Sequence, residues 1–255
     1  MDRTQVAEDP RARPDRCSIV ELRQYALHPG ARDRLIDLFE REFIETQEAA
    51  GISVIGHFSD HSDPNRFVWL RGFPDMPSRK TSLEAFYHGP HWRSQRDSAN
   101  ATIIDNDNVL LLHPARAGSG LALAARARPA IGAAPRAELL IATLYYSDAP
   151  VDPSFVDFFE RDVRPALTAA NALVLASLTT EYGVNTFPAL PVREGQHAFV
   201  WLASFRDAEA YDAHRATLAR SGAWAELSRQ LALHLKYRAP EVLVLTPSPR
   251  SLLPE

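Results

Sequence analysis

At 255 residues, 45% of them hydrophobic and 24% charged, the chain is long enough for one large domain or two small ones with real cores. A net charge of −4 supplies no basic field for nucleic acid, and no apolar run approaches the ~20 residues of a bilayer-spanning helix. The single cysteine, Cys17, excludes an internal disulfide. The first sixteen residues mix arginines with Asp2, Glu8, Asp9 and Asp15, which fits neither a secretory signal nor a mitochondrial presequence. The expected setting is cytoplasmic, with no membrane and no nucleic-acid partner.

In chain order, a tail over 1–16 is expected to be disordered. Ser18 to Leu27 reads as a strand. Pro29 and Gly30 open a helix whose apolar face is Leu35, Ile36, Phe39, Phe43 and Ile44, with Gly51 as its stop. The run Glu40, Arg41, Glu42 with Glu45 and Glu48 reads as its solvated face. Ile52 to Ser59 is strand-like, Asp60 to Asn65 is turn chemistry, and Arg66 to Phe73 is a strand rich in aromatic and β-branched residues. Asp75 is placed to cap a second helix through Leu83, Phe86 and Tyr87. Gly89 and Pro90 interrupt it and His91 to Asn100 resume it. A turn at Asp105 to Asp107 leads into a last strand, Asn108 to His113. Pro114 to Arg136, rich in Ala, Gly, Pro and Arg, reads as a linker, with Leu121 to Arg126 open to forming a short helix.

The same order then recurs. Phe67-Val68-Trp69-Leu70 returns as Phe199-Val200-Trp201-Leu202 at an offset of 132, which also carries Phe73 to Phe205, Asp75 to Asp207 and Trp92 to Trp224. Upstream, Phe39-Glu40-Arg41-Glu42 returns as Phe159-Glu160-Arg161-Asp162 at an offset of 120, with Leu35 matching Phe155, Val54 matching Val174 and Tyr25 matching Tyr145. The two offsets are reconciled by twelve extra residues in the Pro- and Gly-bearing stretch Glu181 to Gln196, read as a loop insertion. Each copy is β-α-β-β-α-β, the ferredoxin-like plan of an antiparallel sheet with helices on one face. The strands are apolar on both faces, so the second face needs a cover, and the other copy is the nearest one. The expected fold is therefore α+β: tandem halves over 17–115 and 137–247, a linker over 116–136, a C-terminal tail over 248–255, and one barrel formed within the chain.

The segments Glu21 to Gly30, Leu38 to Phe43, Arg66 to Phe73 and Asp107 to Leu112 resemble bacterial members of the NIPSNAP family, of the dimeric α/β-barrel superfamily. The likeness covers Cys17 to Ala115 closely and Ala137 to Pro247 as a diverged copy. It implies the barrel fold. It implies little about activity, because that superfamily hosts cofactor-free monooxygenases, haem enzymes, lactone and dehalogenation enzymes and ligand-sensing modules.

The duplication also supplies an internal control. The leading copy places Glu21, Arg23, Tyr25, His57 and Arg71 where the trailing copy has Ile141, Thr143, Tyr145, Ser177 and Ala203. Interior charges must pair or line a solvated cavity. One reading is a pocket for a small, anionic metabolite, with Arg23, Arg71, Glu21 and Trp69 as substrate-binding residues and His57 and Tyr25 as catalytic proton movers. The other is a self-satisfied ion-pair network that closes the sheet. His88 and His91 are placed at the rim of a cavity mouth; Gly89 and Pro90 between them break the helix that would align two metal ligands, and no metal is expected. Trp69 and Trp201 recur in both copies, which also favours packing. There is no nucleophile elbow and no phosphate loop, and no cofactor is expected. The functional expectation is a small-molecule barrel acting as a cofactor-independent oxygenase, isomerase or lyase. The alternatives are a non-catalytic binding or assembly protein and a haem-binding barrel. A homodimer remains open.

Overall fold

The structure, a computed structural model, describes residues 17–123, 127–236 and 238–253. The expected disordered tail over 1–16 lies outside the described residues. The leading half runs β1 (Ile19–Leu27), α1 (Arg32–Leu38), a π-helical turn (Phe39–Phe43), α2 (Ile44–Ala49), β2 (Ser53–Asp60), β3 (Arg66–Phe73), α3 (Met76–Tyr87), α4 (Pro90–Asn100) and β4 (Ile103–Pro114). The trailing half repeats it as β5 (Leu139–Ser147), α5 (Pro153–Phe158), a π-helical turn (Phe159–Val163), α6 (Arg164–Ala169), β6 (Leu173–Thr180), β7 (His197–Phe205), α7 (Ala208–Arg220), α8 (Gly222–His234) and β8 (Glu241–Pro247).

Among the described residues the strands close into a barrel in the order β1-β3-β2-β8-β5-β7-β6-β4. Each half contributes an antiparallel sheet with its β1-type strand flanked by the β3- and β4-type strands. The halves join at two short seams, Phe58 to Asp60 on Leu245 to Pro247 and Leu112 to Pro114 on Leu178 to Thr180. Closure within one chain leaves no sheet edge to be covered.

Strand alternation then decides which residues meet. One set of faces points into the barrel and is mostly apolar: Val20, Leu22, Val68, Leu70, Leu110 and Leu112 meet Leu140, Ala142, Leu144, Val200, Leu202 and Leu243. The lumen is a packed core and not a pocket. The opposite faces lie under the helices and form two further cores, one per half. Glu21, Arg23, His57 and Arg71 belong to this second face, so the interior charges of the leading half lie between sheet and helices.

Local chemistry explains most boundaries. The Asp75 side chain caps α3 by accepting from the Ser78 amide at 2.6 Å, and Asp207 caps α7 through the Ala210 amide at 2.8 Å. Gly51 turns the chain at φ +89°, a left-handed conformation open to glycine. Four expectations need correction. The Asp105 to Asp107 segment is a bulged part of a longer β4, its register against β1 shifting near Ala26. Residues 121–123 form no helix, Leu121 instead being buried in the barrel core, and the rest of that segment, 124–126, lies outside the described residues. Glu40 is not solvated: the π-helical turn, which inserts a residue into the helix, rotates its carboxylate inward against β2. Residues 248–253, read as a tail, pack on the leading half, with the Ser248 amide donating to His57 O and Leu252 to Ile55 O.

Candidate functional site

Adjacent strands set the site in rows across the helix-facing side. Glu21 pairs with Arg71, Arg23 with Trp69, Tyr25 with Phe67, and Trp69 in turn with His57. A two-residue period thus brings Glu21, Arg23, Arg71 and Trp69 into one patch. Helix α3 adds Arg79, one turn after its capped start, and this residue was missed by the sequence reading.

Glu21 is fully buried and serves three guanidinium groups. Arg23 Nη1 donates to Oε2 at 2.6 Å, Arg71 Nε to Oε2 at 2.7 Å, and Arg79 Nε to Oε1 at 2.6 Å. Arg71 Nη2 also lies 2.7 Å from Oε2 as a charge contact that is not aligned as a hydrogen bond. All three arginines are 0% exposed. Burial pushes the Glu21 carboxyl up, but Arg71, Arg23 and Arg79 outweigh it and hold the group well below the usual carboxylate range. One carboxylate against three guanidiniums leaves this buried patch cationic.

Two phenols carry that charge toward a cavity. Arg23 Nε donates to Tyr25 Oη at 3.0 Å, and Arg71 Nη1 donates to Tyr87 Oη at 3.3 Å. A guanidinium only donates, so each phenol oxygen accepts and keeps its own proton available. Among the described residues neither hydroxyl has an acceptor. Burial pushes the Tyr25 phenol up, with Arg23 opposing in part. Tyr25, Trp69 and Tyr87 line a cavity of about 60 Å³ with Phe39, Phe67 and Trp92. Trp69 Nε1 is buried without a partner. In the trailing half the equivalent Trp201 Nε1 donates to Tyr145 Oη at 3.2 Å. The leading half has diverted its tyrosine to Arg23 and left its indole N–H unengaged.

His57 stands apart from this cavity. Its Nε2 meets Glu40 Oε1 at 2.9 Å under the ring of Phe39, and Glu40 also accepts from the Arg250 amide at 3.1 Å. Burial lowers the His57 pKa, with Glu40 offsetting part of the effect. The trailing half builds the same contact from Glu160 and Ser177, with Arg116 approaching Glu160 Oε2 at 3.0 Å. A device present in both halves ties the inward carboxylate of each π-helical turn to its sheet. His88 is exposed, and His91 is half-buried 3.3 Å from Glu42. Neither lines the cavity. Among the described residues no group of three or more His, Cys, Asp or Glu side chains gathers as a metal would require.

The insertion at 181–196 belongs to the trailing half but covers the leading one. Asn185 Oδ1 and Thr186 Oγ1 accept from Arg79 Nη1 at 3.0 and 3.1 Å, Phe187 stacks on Tyr87 at 5.7 Å, and Leu190 lines the cavity. Among the described residues no counterpart covers the trailing half, where Tyr211 stands at the position of Arg79.

Residues 20–117 match the family model NIPSNAP. The whole chain is similar in fold to a protein from Lactobacillus acidophilus described as a "putative monooxygenase" (13% identity, TM-score 0.51, 90% of this chain and 93% of that one). A protein so described from Fusobacterium nucleatum is similar at 10% identity and a TM-score of 0.52, over 92% of this chain and 94% of its own. A NIPSNAP-like domain protein from Burkholderia xenovorans shares 28% identity over 40% of this chain and 88% of its own, with a TM-score of 0.37. No curated protein matches the sequence. Among the described residues no helix is long and apolar enough to cross a membrane.

Proposed function

We propose that the leading half of this closed α/β barrel, whose residues 20–117 match the NIPSNAP family model, binds a small organic molecule bearing an anionic oxygen. The observation that carries the reading is the imbalance of three fully buried guanidiniums against one carboxylate. Buried charge without compensation is costly, and a ligand anion is the missing compensation. The aromatic cavity walls suit a flat, mostly apolar body, and Tyr25, Tyr87 and Trp69 present O–H and N–H donors to its oxygen.

The same arrangement suits catalysis without a cofactor. Donors wired to cations favour charge that develops on an oxygen, as in enolisation, and Tyr25 is the group that gives or takes the proton there. That supports a cofactor-independent isomerase, lyase or oxygenase. His57, held by Glu40 outside the cavity, takes no part in this reading.

The test is Arg71→Ala, which copies Ala203 of the trailing half. Loss of one charge-assisted donor is expected to weaken binding of a probe such as benzoate by about 10- to 100-fold, with the far-UV spectrum unchanged. Titration calorimetry reads the affinity. A folded variant that binds as the wild type does removes the arginine cluster from the function.

A further inference from the structure

The leading half joins β2 to β3 through the short turn at 61–65, whereas the trailing half joins β6 to β7 through 181–196. That longer connection forms a strap without regular secondary structure. Its first leg leaves β6 with the Glu181 amide on Leu111 O, and its second returns with the Arg193 amide on Val109 O, each at 2.8 Å. Between them Asn185, Thr186 and Phe187 run from Arg79 to Tyr87.

The contact at Arg79 is chemically incomplete. Its Nε is given to Glu21, its Nη1 meets only the neutral oxygens of Asn185 and Thr186, and its Nη2 is buried with no partner. A neutral acceptor leaves the guanidinium charge uncompensated, whereas a carboxylate neutralises it and can bond to it bidentately. The cavity that Tyr87 lines is also too small as it stands. Its volume is about 60 Å³, whereas a cavity of about 150 Å³ is what admits a benzene ring. Leu190 of the strap lines this cavity and Phe187 stacks on the lining residue Tyr87, and a hollow of about 220 Å³ lies between the strap's legs and β4.

We infer that Arg79 is the anchor for the carboxylate of a flat organic acid, and that Asn185 and Thr186 hold its place until the ligand displaces them. This rests on the reading of the leading-half cavity as an anion site. Arg79 then donates bidentately to the carboxylate through Nη1 and Nη2, while the ring of the acid takes the space vacated by Phe187 beside Tyr87. The trailing half, which lacks the charged cluster, acts on the leading half's ligand through its strap.

Benzoate is the probe, titrated into the full-length wild type and into the double variant Asn185→Ala, Thr186→Ala. Removing the placeholders is expected to tighten benzoate binding about tenfold. Hydrogen exchange across 182–195 of the wild type, which needs no variant, is expected to speed up when benzoate is added. A variant that binds benzoate equally or more weakly, or a strap that becomes more protected with benzoate, overturns the placeholder role while leaving the anion site standing. Absence of benzoate binding in both proteins overturns the anchor and the anion site together.

Discussion

Glu21→Gln is expected to destabilise the protein by about 3–5 kcal/mol, the scale found when one partner of a buried ion network is removed. The carboxylate is 0% exposed, and both its oxygens are occupied by guanidinium donors at 2.6 to 2.7 Å. Glutamine removes the carboxylate charge that the three guanidiniums share and points an NH₂ donor at other donors. The pH dependence should change with it. The native Glu21 carboxyl is held well below its usual range, so its contribution is present above the unfolded-state pKa of about 4.3 and is lost as pH falls toward the native value. Denaturant unfolding at pH 7 and through the acid range reads both effects. A loss below about 1 kcal/mol at pH 7, or an unchanged acid limb, contradicts the assignment.

Trp69→Ala is expected to cost a similar ~3–5 kcal/mol, through lost packing in place of lost charge. The side chain is 2% exposed, meets Tyr25 and Phe39 edge-on at 6.0 and 5.0 Å, and lies under Arg71 at 5.1 Å. Trp69→Phe keeps most of that ring and removes an N–H that has no partner, so its cost is expected to stay below about 1.5 kcal/mol. A comparably large loss in both variants would mean that the N–H is engaged in the fold. Thermal and denaturant unfolding of the pair separates the cases.

Much of this architecture was legible because duplication repeats chemistry as well as pattern. The Phe-Val-Trp-Leu strands and the aspartate caps Asp75 and Asp207 recur with the helices they start, and strand alternation alone puts Glu21, Arg23 and Arg71 on one face. Which face lined the barrel was not legible, since both were apolar enough to be buried. Glu40 was hidden by its neighbours: in a regular helix the acidic run faces solvent, and only the π-helical turn rotates one member inward. The recurrence of Glu160 at the same place was the available signal. Arg79 was missed because it sits in a polar stretch of α3, although comparison with Tyr211 across the two copies exposes it as another leading-half charge. The strap was recognised as an insertion, but its docking site depends on contacts such as Arg79 with Asn185, more than a hundred residues apart, which no local pattern encodes.

The trailing half shows what this fold looks like without the charges, and it can be copied into the leading half. The variant Glu21→Ile, Arg23→Thr, Arg71→Ala, Arg79→Tyr replaces a buried ion network by the residues that already pack at the matching positions. Such replacements are often close to neutral for stability. If the cluster exists to hold a ligand, this variant unfolds within about 2 kcal/mol of the wild type and no longer binds benzoate. If it unfolds far more easily, or still binds benzoate normally, the cluster is a structural closure and the binding site lies elsewhere.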